Sequence, residues 1–399
     1  MKRVIAPLRD FLHRESSSGI LILIASALGL IVANSPLSES YFSFLERTLK
    51  LGLDPLYVEL TNLKFINYVM MTIFFFVVGL EIKRELTTGH LASRKKALMP
   101  FVAALGGMAV PAGLYLVIAG ETDSRGWGVP VATDIALAVG LLAMVGSSAV
   151  ASLRSFLLAL AVIDDIGAIL IIAFVYSSGV IISWVLAGVL AIIGVLIFQK
   201  IKLNQIVFYV IFGVLLWFSL YKSGVHPTLA GVIMGILTPN IHRNGSGLHD
   251  ESDGEVSVIE WIENKLHPWS SFVIVPIFAF ANTGVVISQD SISSALDSPI
   301  AWGIFVGLVI GKPVGIFATI YLAKRVNIGE LPEGARPKSI FATGSAAGIG
   351  FTVAIFIANL AFTDPKVQDL AVVSIISASV ISGLASFVIF KLSGKKTNS

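Results

Sequence analysis

Twelve long apolar runs recur along the chain, and together they exclude a water-soluble fold. They fall at roughly 17–34, 65–80, 97–119, 128–146, 155–177 and 182–199, then at about 205–221, 224–238, 268–288, 300–322, 340–362 and 370–390. About 20 apolar residues make a helix long enough to cross a hydrocarbon core ~30 Å thick. Inside that core every backbone polar group must be satisfied within the protein, so spans are helical. The expected fold is an all-α polytopic membrane protein with twelve transmembrane helices. Composition agrees, because 55% of the 399 residues are hydrophobic and 13% charged, where a soluble domain carries about 25% charged. A formal charge of +3 spread over so few ionisable groups builds no basic groove, which excludes a nucleic-acid partner. The absence of cysteine removes disulfides, thiolate metal sites and a cysteine nucleophile.

An even number of spans puts both termini on one side. With the termini cytoplasmic, 21 Lys and Arg fall in inner segments against 6 in outer ones, a strong bias of the kind that fixes topology. The expected organisation is a cytoplasmic N-terminal segment at 1–16, a single transmembrane domain at 17–390, and a cytoplasmic tail at 391–399. Basic residues precede the first run as in a cleaved signal sequence, but Ala33-Asn34-Ser35-Pro36 is a poor cleavage site, so the run reads as a retained helix. On the outer side, partial alternation at Leu49, Leu51 and Leu53 with an Asp54-Pro55 turn fits a hairpin over 45–60 or an irregular loop equally well.

Four ionisable residues lie inside these runs, where charge is expensive and marks function. Asp164 and Asp165 stand in LALAVIDDIGAI, ten and eleven residues beyond Arg154, which is about 15 Å of helix, or half the hydrocarbon. Lys312 is equally central between Pro299 and Lys324, and Asp134 lies nine residues after Arg125. One ammonium can make a structural ion pair with one aspartate, but three carboxylates leave a surplus. At about 2.5 to 3.5 kcal/mol per ionised residue, two unpaired carboxylates would cost about 5 to 7 kcal/mol. They should hold protons or a cation, and competition between the two is the minimum machinery of an exchanger. Adjacent helical residues point about 100° apart. One aspartate therefore faces an ion directly and the other reaches from the side, toward Lys312.

Two spans carry breaks. Pro130 precedes Asp134 in the fourth, and Gly344, Gly348 and Gly350 interrupt the eleventh. Interrupted helices at matching places in two halves point to a transporter site, although glycines also serve close helix packing. Spans 3–5 and 10–12 correspond at an odd offset, which makes about 97–177 and 300–390 inverted three-helix repeats. Asp134 can then neutralise positive half-helix N-termini and Lys312 negative C-termini. At the inner rim, Glu81, Arg84 and Glu85 end the second span, and Glu263, Asn264, Lys265 and His267 precede the ninth. Such charges can be a solvated rim. His226, at the head of the short eighth span, is either a structural or a titrating histidine.

VATDIALA, LALAVIDDIGAI, GVHPTLAG, LHPWSSFVIVPIFAFANTGV, GKPVGI and GIGFTVAIFIANLAF together resemble the NhaA-type sodium/proton antiporters over essentially the whole chain. The resemblance implies a bacterial inner-membrane protein, not an enzyme and without cofactors, whose discontinuous helices 4 and 11 cross. It implies electrogenic, pH-regulated exchange of cytoplasmic Na⁺ or Li⁺ for external protons. Asp164 and Asp165 correspond to the carriers of Na⁺ and protons, with Thr133 and Asp134 near the site and Lys312 as partner of Asp164. Glu81, Arg84, Glu85, His226, Glu263 and His267 correspond to positions of pH response, and the hairpin at 45–60 to a homodimer contact. Apart from surrounding lipid, no other partner is implied. Two rival readings use the same acids. An intramembrane aspartyl protease lacks its Gly-x-Gly-Asp element here, and a cation channel would conduct without proton coupling.

Overall fold

The computed structural model describes residues 15–53, 56–145, 148–177, 179–201, 206–239, 257–329, 331–332 and 334–394. Asp54-Pro55, nearly all of the segment 1–16 and most of the tail at 391–399 fall outside them. Helix dominates, as a multi-pass membrane chain requires. Among the described residues seven helices are long and apolar enough to cross a membrane, and two further pairs of helices meet at a bend.

In chain order the elements are α1 (Glu15–Ala33), α2 (Ser38–Glu46), β1 (Thr48–Leu53), β2 (Leu56–Thr61), α3 (Asn62–Thr87), α4 (Arg94–Asp123), α5 (Ile135–Val145), α6 (Ser148–Phe174), α7 (Ile182–Lys200) and α8 (Ile206–Ser223). They continue with α9 (Leu229–Leu237), α10 (258–282), α11 (Gln289–Asp297), α12 (Pro299–Arg325), α13 (Pro337–Ala347), α14 (Phe351–Ala361) and α15 (Pro365–Gly394). Hydropathy sees only the apolar centre of a span. The second run is therefore outgrown at both ends by α3, and the ninth begins about ten residues early, at a capping box between Ser257 and Glu260. The eighth run is longer than its helix. Gly224 at φ +83° and the His226-Pro227 step hold its first residues outside α9.

The chain divides into two compact units. One comprises 1–41, His90–Ala168 and Asn282–Ser399. Its core is built where α4, α5, α6, α12 and α13 meet, around Ala103, Leu142, Leu157, Leu160, Ile316 and Ala346. There α4 and α12 cross backbone to backbone. A Cβ on Gly106 would strike the carbonyl of Gly315, and one on Gly315 the carbonyl of Gly106, so neither position admits a side chain. The second unit comprises Phe42–Gly89 and Ile169–Ala281. Within it α3 packs on α9 through Gly79 and Gly235, and α7 on α8. It also carries the two-stranded antiparallel hairpin β1–β2, in register from Thr48↔Thr61 to Leu53↔Leu56, with Lys50 paired to Glu59 across the strands at 2.9 Å.

Among the described residues three helices contain a π-turn, at Ile66–Met70, Ser270–Ile274 and Gly307–Gly311. A π-turn inserts one residue and rotates everything after it by a fraction of a turn. The third ends directly before Lys312 and so sets the direction in which that side chain leaves α12.

Candidate functional site

Both middle segments of the unit containing α4–α6 and α12–α15 are broken. After α4 the chain runs through a 3₁₀ segment, Ser124–Val131, that includes Pro130, and then extends at Ala132 before α5 begins. The eleventh span stops at Ala347 and restarts at Phe351, with a bend of 48° between α13 and α14. The two breaks are tied together by the residues that interrupt them. The Asp134 amide donates to Ile349 O at 2.6 Å, and the Thr133 hydroxyl lies 2.9 Å from Ala347 O.

Asp134 caps two helices at once. Its Oδ1 accepts from the Leu137 amide at 3.1 Å, in the first turn of α5. Its Oδ2 accepts from the amide and the hydroxyl of Thr352, at 3.1 and 2.5 Å, in the first turn of α14. A helix start leaves amides without intrahelical partners and concentrates positive potential there. One carboxylate compensates both starts, and with 2% of its surface exposed it does so out of reach of bulk water.

The second constellation is an ion pair at full burial. Lys312 and Asp164 both have no exposed surface, and Lys312 Nζ stands 2.5 Å from Asp164 Oδ2. Thr133 completes it, because its hydroxyl receives a hydrogen bond from Lys312 Nζ at 2.9 Å and lies 2.8 Å from the same Asp164 oxygen. The other carboxylate oxygen, Asp164 Oδ1, is buried without a hydrogen-bond partner among the described residues. Taking two charges out of water is repaid only by close pairing and further hydrogen bonds. An acceptor left open in such a place is where a proton or a cation gains most. Asp165 follows on the same helix, also buried.

The remaining candidate residues lie in the other unit, all but His226 in one group. Arg84 on α3 donates to Glu263 Oε1 on α10 at 2.6 Å, while Glu263 Oε2 is buried without a partner among the described residues. Burial pushes the Glu263 carboxyl up from its ordinary value to about 7; Arg84 opposes that shift, and Glu81, Glu260 and Glu85 add to it. His267, one turn along α10, is exposed, with its ring 3.5 Å from the Ser271 hydroxyl. His226 stands apart from that group. It is buried, with Nδ1 2.6 Å from the Thr228 hydroxyl and its ring edge-on to Tyr68 at 5.0 Å.

Sequence reasoning passed over Thr352, which makes two hydrogen bonds to the Asp134 carboxylate, and the carbonyls of Ala347 and Ile349. Thr352 follows directly on the Gly-Ile-Gly-Phe of the break, so a hydroxyl at the restart of an interrupted helix was the available signal.

The chain as a whole is similar to known proteins. The family profile described as Na⁺/H⁺ antiporter 1 matches residues 9–390. The Na(+)/H(+) antiporter NhaA 2 of Myxococcus xanthus is 41% identical, over 96% of this chain and 88% of its own length. The Na(+)/H(+) antiporter NhaA of Shewanella baltica is 42% identical over 95% of this chain and 96% of its own, and the NhaA 2 of Clostridium beijerinckii 39% over 98% and 95%. A match of this extent, on a multi-pass helical chain, means that the protein belongs to the Na⁺/H⁺ antiporter 1 family, a family of transporters rather than enzymes.

Proposed function

We propose that the chain exports Na⁺ or Li⁺ across a bacterial inner membrane in exchange for protons, and that Asp164 and Asp165 carry both ions in turn. The observation that carries this reading is the fully buried Asp164–Lys312 pair with one carboxylate oxygen left open. With both aspartates ionised and Lys312 protonated, the site holds one net negative charge. A monovalent cation or a proton at Asp164 Oδ1 neutralises it. The empty site crosses the membrane rarely because of the cost of an uncompensated charge in hydrocarbon, and that cost couples the two fluxes. Exposure alternates: Na⁺ displaces protons from the cytoplasmic side, and protons displace Na⁺ from the outside. If Asp165 takes a second proton on the return, two protons exchange for each cation and one net charge moves per cycle, worth about 2.3 kcal/mol per 100 mV of membrane potential.

The rest of the reading follows the family. Twelve spans hold both termini in the cytoplasm, with 97–177 and 300–390 as inverted repeats whose broken members cross at Thr133, Asp134 and Gly348–Gly350. Two chains associate through the hairpin, in a membrane whose lipid is the only other partner. The group Glu81, Arg84, Glu85, Glu263 and His267 adjusts activity to pH, and so does His226.

The test is Na⁺-driven proton flux in proteoliposomes. Adding Na⁺ at alkaline pH should collapse a pre-set pH gradient, and Asp164→Asn and Asp165→Asn should each abolish the effect. A gradient that still collapses in Asp165→Asn removes its carrier role, and Na⁺ conductance at equal, fixed pH on both sides identifies a channel instead.

A further inference from the structure

Helix α15 carries its serines in two behaviours. Toward its N-terminal half, Ser374 and Ser377 close their hydroxyls on the carbonyls of Leu370 and Val373, four residues back, at 2.8 Å each. Toward the C-terminal half Ser382, Ser386 and Ser393 do not: all three hydroxyls are buried and have no hydrogen-bond partner among the described residues, and Ser382 and Ser386 are 1% and 0% exposed as residues. At about 100° per residue these three stand within roughly 40° of one another on a single face of the helix. They cover eleven residues of rise, about 16 Å, which is half of a ~30 Å hydrocarbon core.

The row of serines ends at the break of the eleventh span. The Ser382 hydroxyl oxygen lies 2.9 Å from where a Cβ on Gly348 would stand, and the carbonyl of Leu308, in the π-turn ahead of Lys312, lies 2.5 Å from the same point. One turn away on α15, the Ser379 hydroxyl accepts from the Phe351 amide, at the restart of α14. Beyond that the same face turns apolar through Ala378, Ile375 and Ala371, all wholly buried. The polar strip is therefore closed toward the N-terminal end of the helix; toward the C-terminal end the same face carries Ile389, half-buried, between Ser386 and the half-buried Ser393.

A buried hydroxyl with no partner forfeits a hydrogen bond unless water supplies it. A serine in a helix has a carbonyl within reach, as Ser374 and Ser377 demonstrate, so three neighbours that all decline it face something else. We propose that Ser382, Ser386 and Ser393 line a one-ended file of water molecules that runs from the C-terminal end of α15 to the break at Gly348. In the orientation proposed above that end is cytoplasmic, so the file rests on that reading and extends it. It brings water from the inner side alone to the backbone that holds Thr133 through Ala347 and Asp134 through Ile349.

Backbone hydrogen–deuterium exchange of the full-length protein in lipid, read over 344–352, tests this. The wild-type segment should exchange despite its burial. Ser382→Ala with Ser386→Ala, and separately Ser382→Val with Ser386→Val, should slow it about tenfold, since exchange follows local access of water. Ser377→Val, on the same helix but exposed, should leave it unchanged. Equal exchange in wild type and in the Ala pair overturns the file, because it means the hydroxyls are dry; equal slowing in Ser377→Val overturns it too. The measurement involves no transport. If Na⁺ fails to drive proton flux while the exchange pattern appears, the antiport reading falls and the water file stands.

Discussion

At the scale of single residues the protein concentrates charge where neighbours must answer for it. Lys312 answers for Asp164, and Asp134 for two helix starts, without solvent to share the burden. Glu263 is answered only partly. Burial and the acids Glu81, Glu260 and Glu85 outweigh Arg84 and hold its folded-state value near 7, against 4.5 in an exposed chain. A carboxyl whose value rises on folding stabilises the fold at low pH, and this contribution fades as pH climbs through the folded value. The wild-type melting temperature should fall as pH rises from about 5 through about 7, and Glu263→Gln should flatten that slope, as thermal unfolding in detergent at a series of pH values will register. An unchanged slope in Glu263→Gln would assign the transition to another group. Asp134, Asp164 and Lys312 were legible in the sequence because an acid or a lysine inside an apolar run stands out by cost alone, whereas Arg84 and Glu263 lie outside the runs and were tied to a function only by the family resemblance. Thr352 and the carbonyls of Ala347 and Ile349 were not legible, since a threonine is ordinary in a membrane helix and a backbone oxygen has no letter in the sequence.

At the scale of elements the breaks matter more than the helices. Pro130 and the glycines at 344–350 located both interruptions in advance, because each residue type resists continued helix for a stated reason. The short helices α2 and α11 went unseen, as neither contains an apolar run, and the three π-turns left no trace because they follow from packing between helices rather than from local preference. The crossing of α4 with α12 ties element to site: Gly107 lies beside Ile316 and the Lys312 side chain, one residue from the Gly106–Gly315 contact. Gly315→Val should force the two helices apart at a cost of about 1 to 3 kcal/mol and shift Lys312 from Asp164. The expected outcome is a lowered melting temperature together with a larger loss of Na⁺-driven proton flux than Gly113→Val produces on the open side of α4, where no atom lies within 4 Å of the added Cβ. Equal losses would show that Gly315 serves stability alone.

At the scale of the whole molecule the buried ion pair and the rim acids belong to different compact units. The hairpin belongs to the unit that does not contain Asp164, and it leaves Leu51 and Tyr57 exposed at 37% and 41%. Removing 48–61 and joining the flanks with a short polar linker should convert the proposed dimer to a monomer, measured by light scattering in detergent, while transport at saturating Na⁺ persists. A dimer that survives the deletion would place the contact elsewhere. Thr133 carries one further consequence. Its hydroxyl has a single hydrogen and two oxygens within range to receive it, Asp164 Oδ2 at 2.8 Å and Ala347 O at 2.9 Å. Whichever oxygen it serves, the other goes without, so filling Asp164 with a proton frees that hydrogen to turn to the end of α13. Ion occupancy is thereby written into the tension of a backbone joint, and the vibrational frequency of one carbonyl, isotopically marked at Ala347, becomes a gauge of which ion is aboard.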